Sequence, residues 1–588
     1  MPTPSAYAAL ADTQTLRQKL ERMRSEMEAD REQFIDHWKL LANAVSPRRA
    51  RFHFEENAGR GQRVNHKILD NTPTLAYRVF RAGFMAGNTS PSSPWFRLGL
   101  DDLKLSQQDA DKQWLYEVTN LMRMMFLRSN LYKALPGVYG DLGLFGTAAM
   151  MVEEDIEDVI RCHVFAVGSF MIGQDAKGTV NKFFREFTMT VQQVVEEFGM
   201  PDGAHGPIDW TNISEPVQAM WYENQREGRV YVCHAIYPNE DYDPESADSR
   251  RMKYASVYYE KGYQGNGQAY QGGFEDRYLR RSGYRYFPVL APRWETSGED
   301  VYATNCPGME MLGDGNQLQK MESKALIAIA KMVDPPLNVP SSMLNDVVSL
   351  IPGDKNFVPD TQQGVRPVHE VDFRLDYLDA REDRCRARID ETWYKPLFIS
   401  LLMSDRREMT AREVQERHEE KLLMVGPVLS SVENELLSPL IDITFDIMLR
   451  QGLIPEPPEE IQGLPLKVEF ISIMAQAAKL AQANSLERFL GVAAQMAAAK
   501  PDVLDKIDAD QTIDELAEIY SVPPGVVVSD ENVAAMRQAR AQLQARQAAV
   551  EQAGLAAKAA KDLSGAKMDE DNALSRVAES GALEEVLQ

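Results

Sequence analysis

The chain reads as an α+β fold, a mainly antiparallel sheet unit over residues 145–300 set between long helical stretches. Three observations predict it. Short alternating runs rich in Val, Ile, Phe and Tyr recur between turn signals within that interval. Apolar residues at a 3.6-residue period mark the segments on either side. Past residue 455 the composition shifts to Ala, Gln and Lys with few aromatics, which makes weakly amphipathic helices.

A chain of 588 residues allows about three or four domains and an ample core. Sixty-four basic residues against 88 acidic ones leave a formal charge of −24. That argues against a generic nucleic-acid coat, which takes its affinity from clustered Lys and Arg. It leaves room for a protein that lets DNA slide past without sticking. Cys162, Cys233, Cys306 and Cys385 form no C-x-x-C pair and read as reduced, packed thiols. The N-terminus has no signal-peptide pattern, and no stretch reaches the roughly 18 apolar residues of a membrane span. The expectation is a soluble intracellular protein.

Thr15 to Gln18 opens a helix expected to run to Ala44 and to lie on the surface or against a partner. A second helix covers 72–85, followed by a rigid proline turn and by Trp95 and Phe96 as core anchors. Residues 107–135 are helical. Gly137, Gly140, Gly143 and Gly146 then recur every three residues. No lysine follows them, so they make no phosphate loop, and close packing of a helix against a strand is the better reading. Strands are predicted at 148–152, 160–165, 170–172, 180–188, 230–237, 253–259 and 284–290, with a short helix capped by Thr190 and Gln193. The dipeptides Cys162-His163 and Cys233-His234 suggest zinc at first sight. Neighbours on a strand point to opposite faces, so each pair supplies one ligand at most. Buried thiols beside partly exposed histidines are expected instead. Glu153, Glu154 and Asp155 read as a solvated strand end.

Residues 307–450 form the hub. A helical pattern runs from 317 to 333 and ends at Asp334-Pro335-Pro336. A second helix covers 374–394 and stops at Pro396; a loop spans 397–409. A third, capped by Thr410 and Glu413, continues to Arg450, about 60 Å, with Gly426-Pro427 and Pro439 as kink sites. On the second helix, Leu378, Cys385, Ile389 and Trp393 form an apolar stripe. Arg374, Arg381, Arg384, Arg388 and Lys395 flank it on one side; Asp376, Asp379, Asp383 and Asp390 flank it on the other. Opposed flanks suit head-to-tail packing of identical subunits, with Arg381, Arg384, Arg388, Asp379, Asp383 and Asp390 as the contact candidates. An ordinary solvated surface helix is the alternative. The chain has no G-x-S-x-G, H-E-x-x-H, Walker A or kinase loop. No catalytic residue, metal or cofactor is expected.

Several stretches together resemble the head-to-tail connector, or portal, proteins of short-tailed bacteriophages. They are Ala82-Gly83 through Ser90-Pro91-Ser92-Ser93-Pro94-Trp95-Phe96, Leu144-Phe145-Gly146-Thr147-Ala148 with Glu153-Glu154, and Phe184 to Thr190. Cys306-Pro307-Gly308 to Asp314 and Asp334-Pro335-Pro336-Leu337 continue the series. The resemblance covers most of residues 10–540. It implies a ring, dodecameric in the family, at the unique capsid vertex, through which DNA is packaged and ejected. The implied regions are a wing (1–305), stem helices (306–334 and 374–396), a clip (335–373), a tunnel loop (397–410), a long kinked helix with wing return (411–470), a helical crown (471–562) and a frayed acidic tail (563–588).

The implied partners are the terminase large subunit, which would carry ATP hydrolysis, tail or adaptor proteins, capsid and scaffolding or internal-core proteins, and double-stranded DNA in the channel, with no membrane. The implied location is the virion, and the host cytoplasm during assembly. An acidic bore would lower friction on the duplex while basic rings centre it. Lys320, Lys324 and Lys331 share one helix face and would form such rings, or else pair with acidic neighbours. Ser404, Asp405, Arg406, Arg407 and Glu408 would be the polar tip facing DNA, with the arginines suited to phosphate; a solvated helix connection is the plainer alternative. A capsid-associated scaffold or internal-core protein is the competing function, disfavoured by the sheet block. A nuclease is disfavoured by the lack of an acidic metal cluster.

Overall fold

The computed structural model describes residues 15–49, 51–52, 68–100, 109–200, 207–265, 268–269, 278–333, 337–338, 349, 366–367, 375–403, 426–459, 461–464, 466–471, 489–493, 495–496, 510–513, 516, 528 and 530–564. The chain divides into two compact units, residues 1–101 with 114–486, and residues 102–113 with 487–588.

In the first unit, helix α1 (Leu16–Val45) starts where the capping box predicts: the Gln18 amide donates to the Thr15 hydroxyl, and the Gln18 side chain accepts from the Thr15 amide. It is a core element, not the surface or partner-packing helix expected. Leu20 and Met27 pack onto Met171, Phe184, Cys233, Ala235, Val257 and Tyr259 of the sheet. Helix α2 (Thr72–Asn88) leads through the proline turn to strand β1 (Phe96–Leu100), with Trp95 and Phe96 buried as anchors. Helices α3 (Asp109–Arg128) and α4 (Leu131–Phe145) follow. Gly137, Gly140 and Gly143 lie inside α4, which ends ten residues beyond the expected helix end. A methyl group at Gly140 would lie 2.5 Å from the Tyr77 hydroxyl oxygen, and one at Gly143 2.3 Å from the Phe80 ring. The close approach is therefore helix to helix, α4 on α2, rather than helix to strand. Gly146 ends α4 at φ 78°.

Strands β2 (Ala149–Asp155), β3 (Val159–Phe165), β4 (Phe170–Gln174) and β5 (Val180–Thr190) come next. Thr190 caps helix α5 (Val191–Val194), which widens into a π turn at Val195–Gly199, and helix α6 (Glu215–Tyr222) was not foreseen. Strands β6 (Arg229–Pro238), β7 (Tyr254–Gly265), β8 (Gln268–Ala269), β9 (Arg280–Tyr284) and β10 (Val289–Leu290) complete the block. The larger sheet runs β4-β5-β6-β7-β8 with β9 also on β7; β10-β2-β3 forms a second. All pairings are antiparallel. The predicted strand at 284–290 is two strands in two sheets.

Helix α7 (Pro307–Val333) begins ten residues before the expected start. Proline is tolerated in a first turn, where its missing donor has no partner to lose. Gly308 lets that turn press on α4: a methyl group there would lie 2.3 Å from the Leu144 carbonyl oxygen. Strands β11 (Leu337–Asn338) and β12 (Arg366–Pro367) pair with each other; most of 335–373 lies outside the described residues. Helix α8 (Leu375–Thr392) is followed by a turn with Tyr394 at φ 52° and then by helix α9 (Lys395–Met403). Pro396 thus sits in a first turn instead of ending a helix, and 397–403 are helical rather than loop. Leu397 and Phe398 are fully buried, with the Phe398 ring 5.6 Å from Phe80.

The cap at Thr410 falls outside the described residues. From 426 the described chain is helical, passes a π turn at Glu433–Leu437 and continues as α10 (Ser438–Arg450). The wide turn lies just before Pro439, whose ring would otherwise meet the Glu435 carbonyl. Strand β13 (Leu466–Phe470) returns to pair with β1, Phe96 opposite Phe470. In the second unit, helix α11 (Asp530–Ser564) is exposed from Ala534 to Val550, and Arg537 pairs with Asp510 at 2.6 Å.

Candidate functional site: the paired helices α7 and α8

Helices α7 and α8 run antiparallel. The Cys385 thiol lies 3.3 Å from the Asp314 carbonyl oxygen, and the Arg388 Nε donates to the Asp314 carboxylate at 3.2 Å. The apolar stripe of α8 faces this seam: Cys385, Ile389 and Trp393 are fully buried. Trp393 reaches the core of the unit, 5.4 Å from Phe80 and 5.5 Å from Tyr77.

The stripe also holds Glu382, which the sequence reading passed over. It is 3% exposed, and its Oε1 has no hydrogen-bond partner. Burial, and then the nearby Glu322 carboxylate, push its pKa up, while Arg386 at 3.5 Å opposes them. Arg386 is the centre of the local charge network. Its Nε donates to Asp70 at 2.8 Å and its Nη1 to Asp383 at 2.9 Å. Burial of Asp70 is outweighed by hydrogen bonds from Thr72 and Arg386, so that carboxyl is held below its usual range. Gln319 of α7 donates to the Asp70 carbonyl at 2.7 Å and accepts from the Leu69 amide at 2.7 Å. Arg386 lies at the edge of the seam, between the apolar stripe and the acidic flank, as helical period places it, but its partner is 316 residues away, which no local periodicity shows.

The six contact candidates divide in half. Arg388 is engaged by Asp314, Asp383 by Arg386, and Asp390 by Lys395 at 2.6 Å. Those three are occupied within the chain. Arg381, Arg384 and Asp379 are exposed, and among the described residues none has an ion-pair partner. Lys320, Lys324 and Lys331 are exposed on one face of α7, also without an acidic partner among the described residues. Leu326, Ile327, Ile329, Met332 and Val333 are 43–80% exposed along the same helix. Ser404, Asp405, Arg406, Arg407 and Glu408 lie outside the described residues.

Elsewhere, Cys162 and Cys233 are buried thiols whose pKa burial raises to about 12. His163 is partly exposed and lies 3.4 Å from Glu153. His234, expected to be partly exposed, is fully buried. It stacks 3.7 Å from the Tyr258 ring and shares a 3.0 Å hydrogen bond with Ser256. Burial, and then Arg185 and Arg280, hold its pKa well below the usual histidine value. Glu153 and Glu154 are not merely solvated: the Tyr284 hydroxyl donates to Glu153 at 3.2 Å and Arg450 to Glu154 at 2.8 Å. Among the described residues no three His, Cys, Asp or Glu converge as a metal site, and no helix is long and apolar enough to cross a membrane.

A family profile described as bacteriophage head to tail connecting protein matches residues 17–527. The portal protein of Salmonella phage epsilon15 is 40% identical over 569 residues, 96% of this chain and 98% of that protein. The probable portal protein of Bordetella phage BPP-1 is 41% identical over 568 residues, 96% of this chain and 98% of that protein. Among solved structures, a chain from the virion of a native gene transfer agent particle aligns at TM-score 0.35 and 9% identity, over 81% of this chain and 96% of that one; so low a score carries no argument. The profile and the two near-full-length relatives agree, and the chain belongs to the bacteriophage head-to-tail connecting protein family.

Proposed function

We propose that this chain is a portal subunit at the capsid vertex of a phage virion, assembling with copies of itself into a ring around a DNA channel. Identity of 40% to a portal protein along nearly the whole chain carries the reading. In this assignment α7 and α8 are the stem, and 335–373 the clip that meets the terminase and tail proteins. Residues 404–410 are the tunnel loop, shorter than 397–410 because α9 takes up 397–403. Arg406 and Arg407 would then form a basic ring toward the duplex. The exposed aliphatic residues of α7 and the charges of Arg381, Arg384 and Asp379, unpaired among the described residues, are what a stem helix would keep for a neighbouring copy. A ring of twelve is the expected closure. The test is negative-stain imaging with mass measurement of the purified protein. Rings with a central hole support the reading; a protein that stays monomeric at high concentration sinks it.

A further inference from the structure

The seam between α7 and α8 has a regular period with one fault in it. On the side of α7 that meets α8, residues follow an alternating four-three spacing: Met311, Gly315, Leu318, Glu322, Ala325 and Ile329. On α8 the matching set is Leu378, Glu382, Cys385, Ile389 and Trp393. That spacing is the stripe of two helices packed as a coiled coil. Each stripe is interrupted once, by a glutamate. The Cys385–Asp314 contact fixes the antiparallel register, and one turn further along it brings Glu322 level with Glu382.

Burial changes at that layer. On the Trp393 side of it, Met311, Leu318, Cys385 and Ile389 are fully buried. On the other side Ala325 is still buried, but Ile329, next on the same stripe, is 43% exposed. The helices are thus closed as far as the two glutamates and open within two turns beyond them.

Two carboxylates in one dry layer repel, and the surrounding charges add to the repulsion. Glu322 faces Glu382 from α7, Asp70 from the segment before α2, and Asp379 and Asp383 share its helix. Arg386 lies 3.5 Å from Glu382 Oε2, but the same guanidinium also serves Asp70 and Asp383. Lys320 and Lys324 stand on the far side of α7 by helical period, away from the layer. Oε1 of Glu382 is buried and, among the described residues, has no hydrogen-bond partner. A proton on that oxygen removes one charge and supplies the missing bond, with Glu322 as acceptor.

We propose that Glu322 and Glu382 form a proton-operated clasp: protonated, Glu382 donates to Glu322 and the helices zip past the layer to Ile329; ionised, the pair holds that end of the seam open. The clasp lies within one chain and stands apart from the ring reading. The test uses the full chain with spin labels on Ala330→Cys and Tyr377→Cys, both exposed beyond the layer, since all four native cysteines are buried. A control pair, Asn316→Cys with Ala387→Cys, is exposed on the closed side. Labelled chains are diluted into unlabelled ones, so that pulsed electron resonance reads distances within a chain. Between about pH 7.5 and about pH 5 the Ala330–Tyr377 distance should shift to a shorter and narrower distribution, while the control distance stays fixed. Glu322→Gln with Glu382→Gln should give the short distance at both pH values. A distal distance that ignores pH in the wild-type background overturns the clasp, and so does one that keeps its pH dependence in the double glutamine variant.

Discussion

Arg293 holds Glu435 across 142 residues of chain: its amide donates to one carboxylate oxygen at 2.8 Å and its Nε to the other at 3.1 Å. The same guanidinium donates to the Gln174 side chain at 2.8 Å and the Gly178 carbonyl at 2.7 Å. Glu435 sits in the π turn that precedes Pro439, so a helix irregularity is pinned to the end of the β4-β5 hairpin through one nearly buried side chain.

Arg293→Ala should therefore cost about 3 kcal/mol, because it strands a partly buried carboxylate and two acceptors at once. Urea denaturation followed by tryptophan fluorescence measures it. Arg293→Lys should recover only part of the loss, since an ammonium cannot reproduce the guanidinium fork. A midpoint in Arg293→Ala equal to wild type would show that the network does not hold the turn.

Glu382 sets a pH dependence of known sign. Its folded pKa is raised above the ordinary 4.5, so the stability it contributes is complete below about pH 4.5 and is lost as pH rises through the folded value. Above the folded value the seam of α7 and α8 carries a carboxylate that Arg386, at 3.5 Å, offsets only in part. Glu382→Gln should raise the melting temperature at pH 7, and the gain should vanish on titration below pH 4.5, where wild type is protonated as well. A gain that is the same at both pH values would mean that charge is not the cause. Asp70 runs the other way. Its lowered pKa gives stability above its ordinary 3.8 that is lost as pH falls through the folded value.

What could be read from the sequence was local. Thr15 with Gln18, and Thr190 with Gln193, announce helix starts because the capping bonds span three residues. The apolar stripe through Cys385, Ile389 and Trp393 follows from helical period alone. Pro396 was misread because proline both ends helices and begins them, and only the buried Leu397 and Phe398 decide between the two. His234 was misread because alternation assigns residues to faces without saying whether a face is covered. Here α1 covers one face of the sheet and α5 and α6 pack on the other. Arg386 with Asp70, Arg293 with Glu435, and β1 with β13 join residues more than a hundred apart, and no local pattern encodes them. Of the candidate site, the opposed flanks were legible; that half of their charges serve the fold itself was not.

Gly308 tests the reading that α7 starts at Pro307. Gly308→Ala places a methyl group against the backbone of Leu144, which cannot rotate away as a side chain would. The expected loss is about 1–3 kcal/mol, measured as a lower denaturation midpoint. Gly313→Ala, in the same helix with nothing within 4 Å of the added carbon, should be neutral or slightly stabilising. Equal gains at both positions would mean that helix propensity, which favours alanine over glycine, and not contact with α4, governs the site.

The last prediction separates charges kept for a neighbour from charges used within the chain. Arg381 and Arg384 are exposed and, among the described residues, unpaired, whereas Arg388 is bound by Asp314. If α8 meets the next copy through its basic flank, Arg381→Glu with Arg384→Glu should abolish ring closure, because like charges facing each other across an interface cost several kcal/mol. The folded subunit should keep its melting temperature, since neither arginine has an ion-pair partner among the described residues. Adding Asp379→Lys, on the opposite flank and unpaired among the described residues, should restore part of the ring yield by reversing the pair. Arg388→Glu should do the converse, lowering subunit stability first by placing a carboxylate beside Asp314. Light scattering after size exclusion reads assembly, and a thermal melt of the unassembled fraction reads stability. Rings formed at wild-type yield by the Arg381/Arg384 double reversal would remove α8 from the interface.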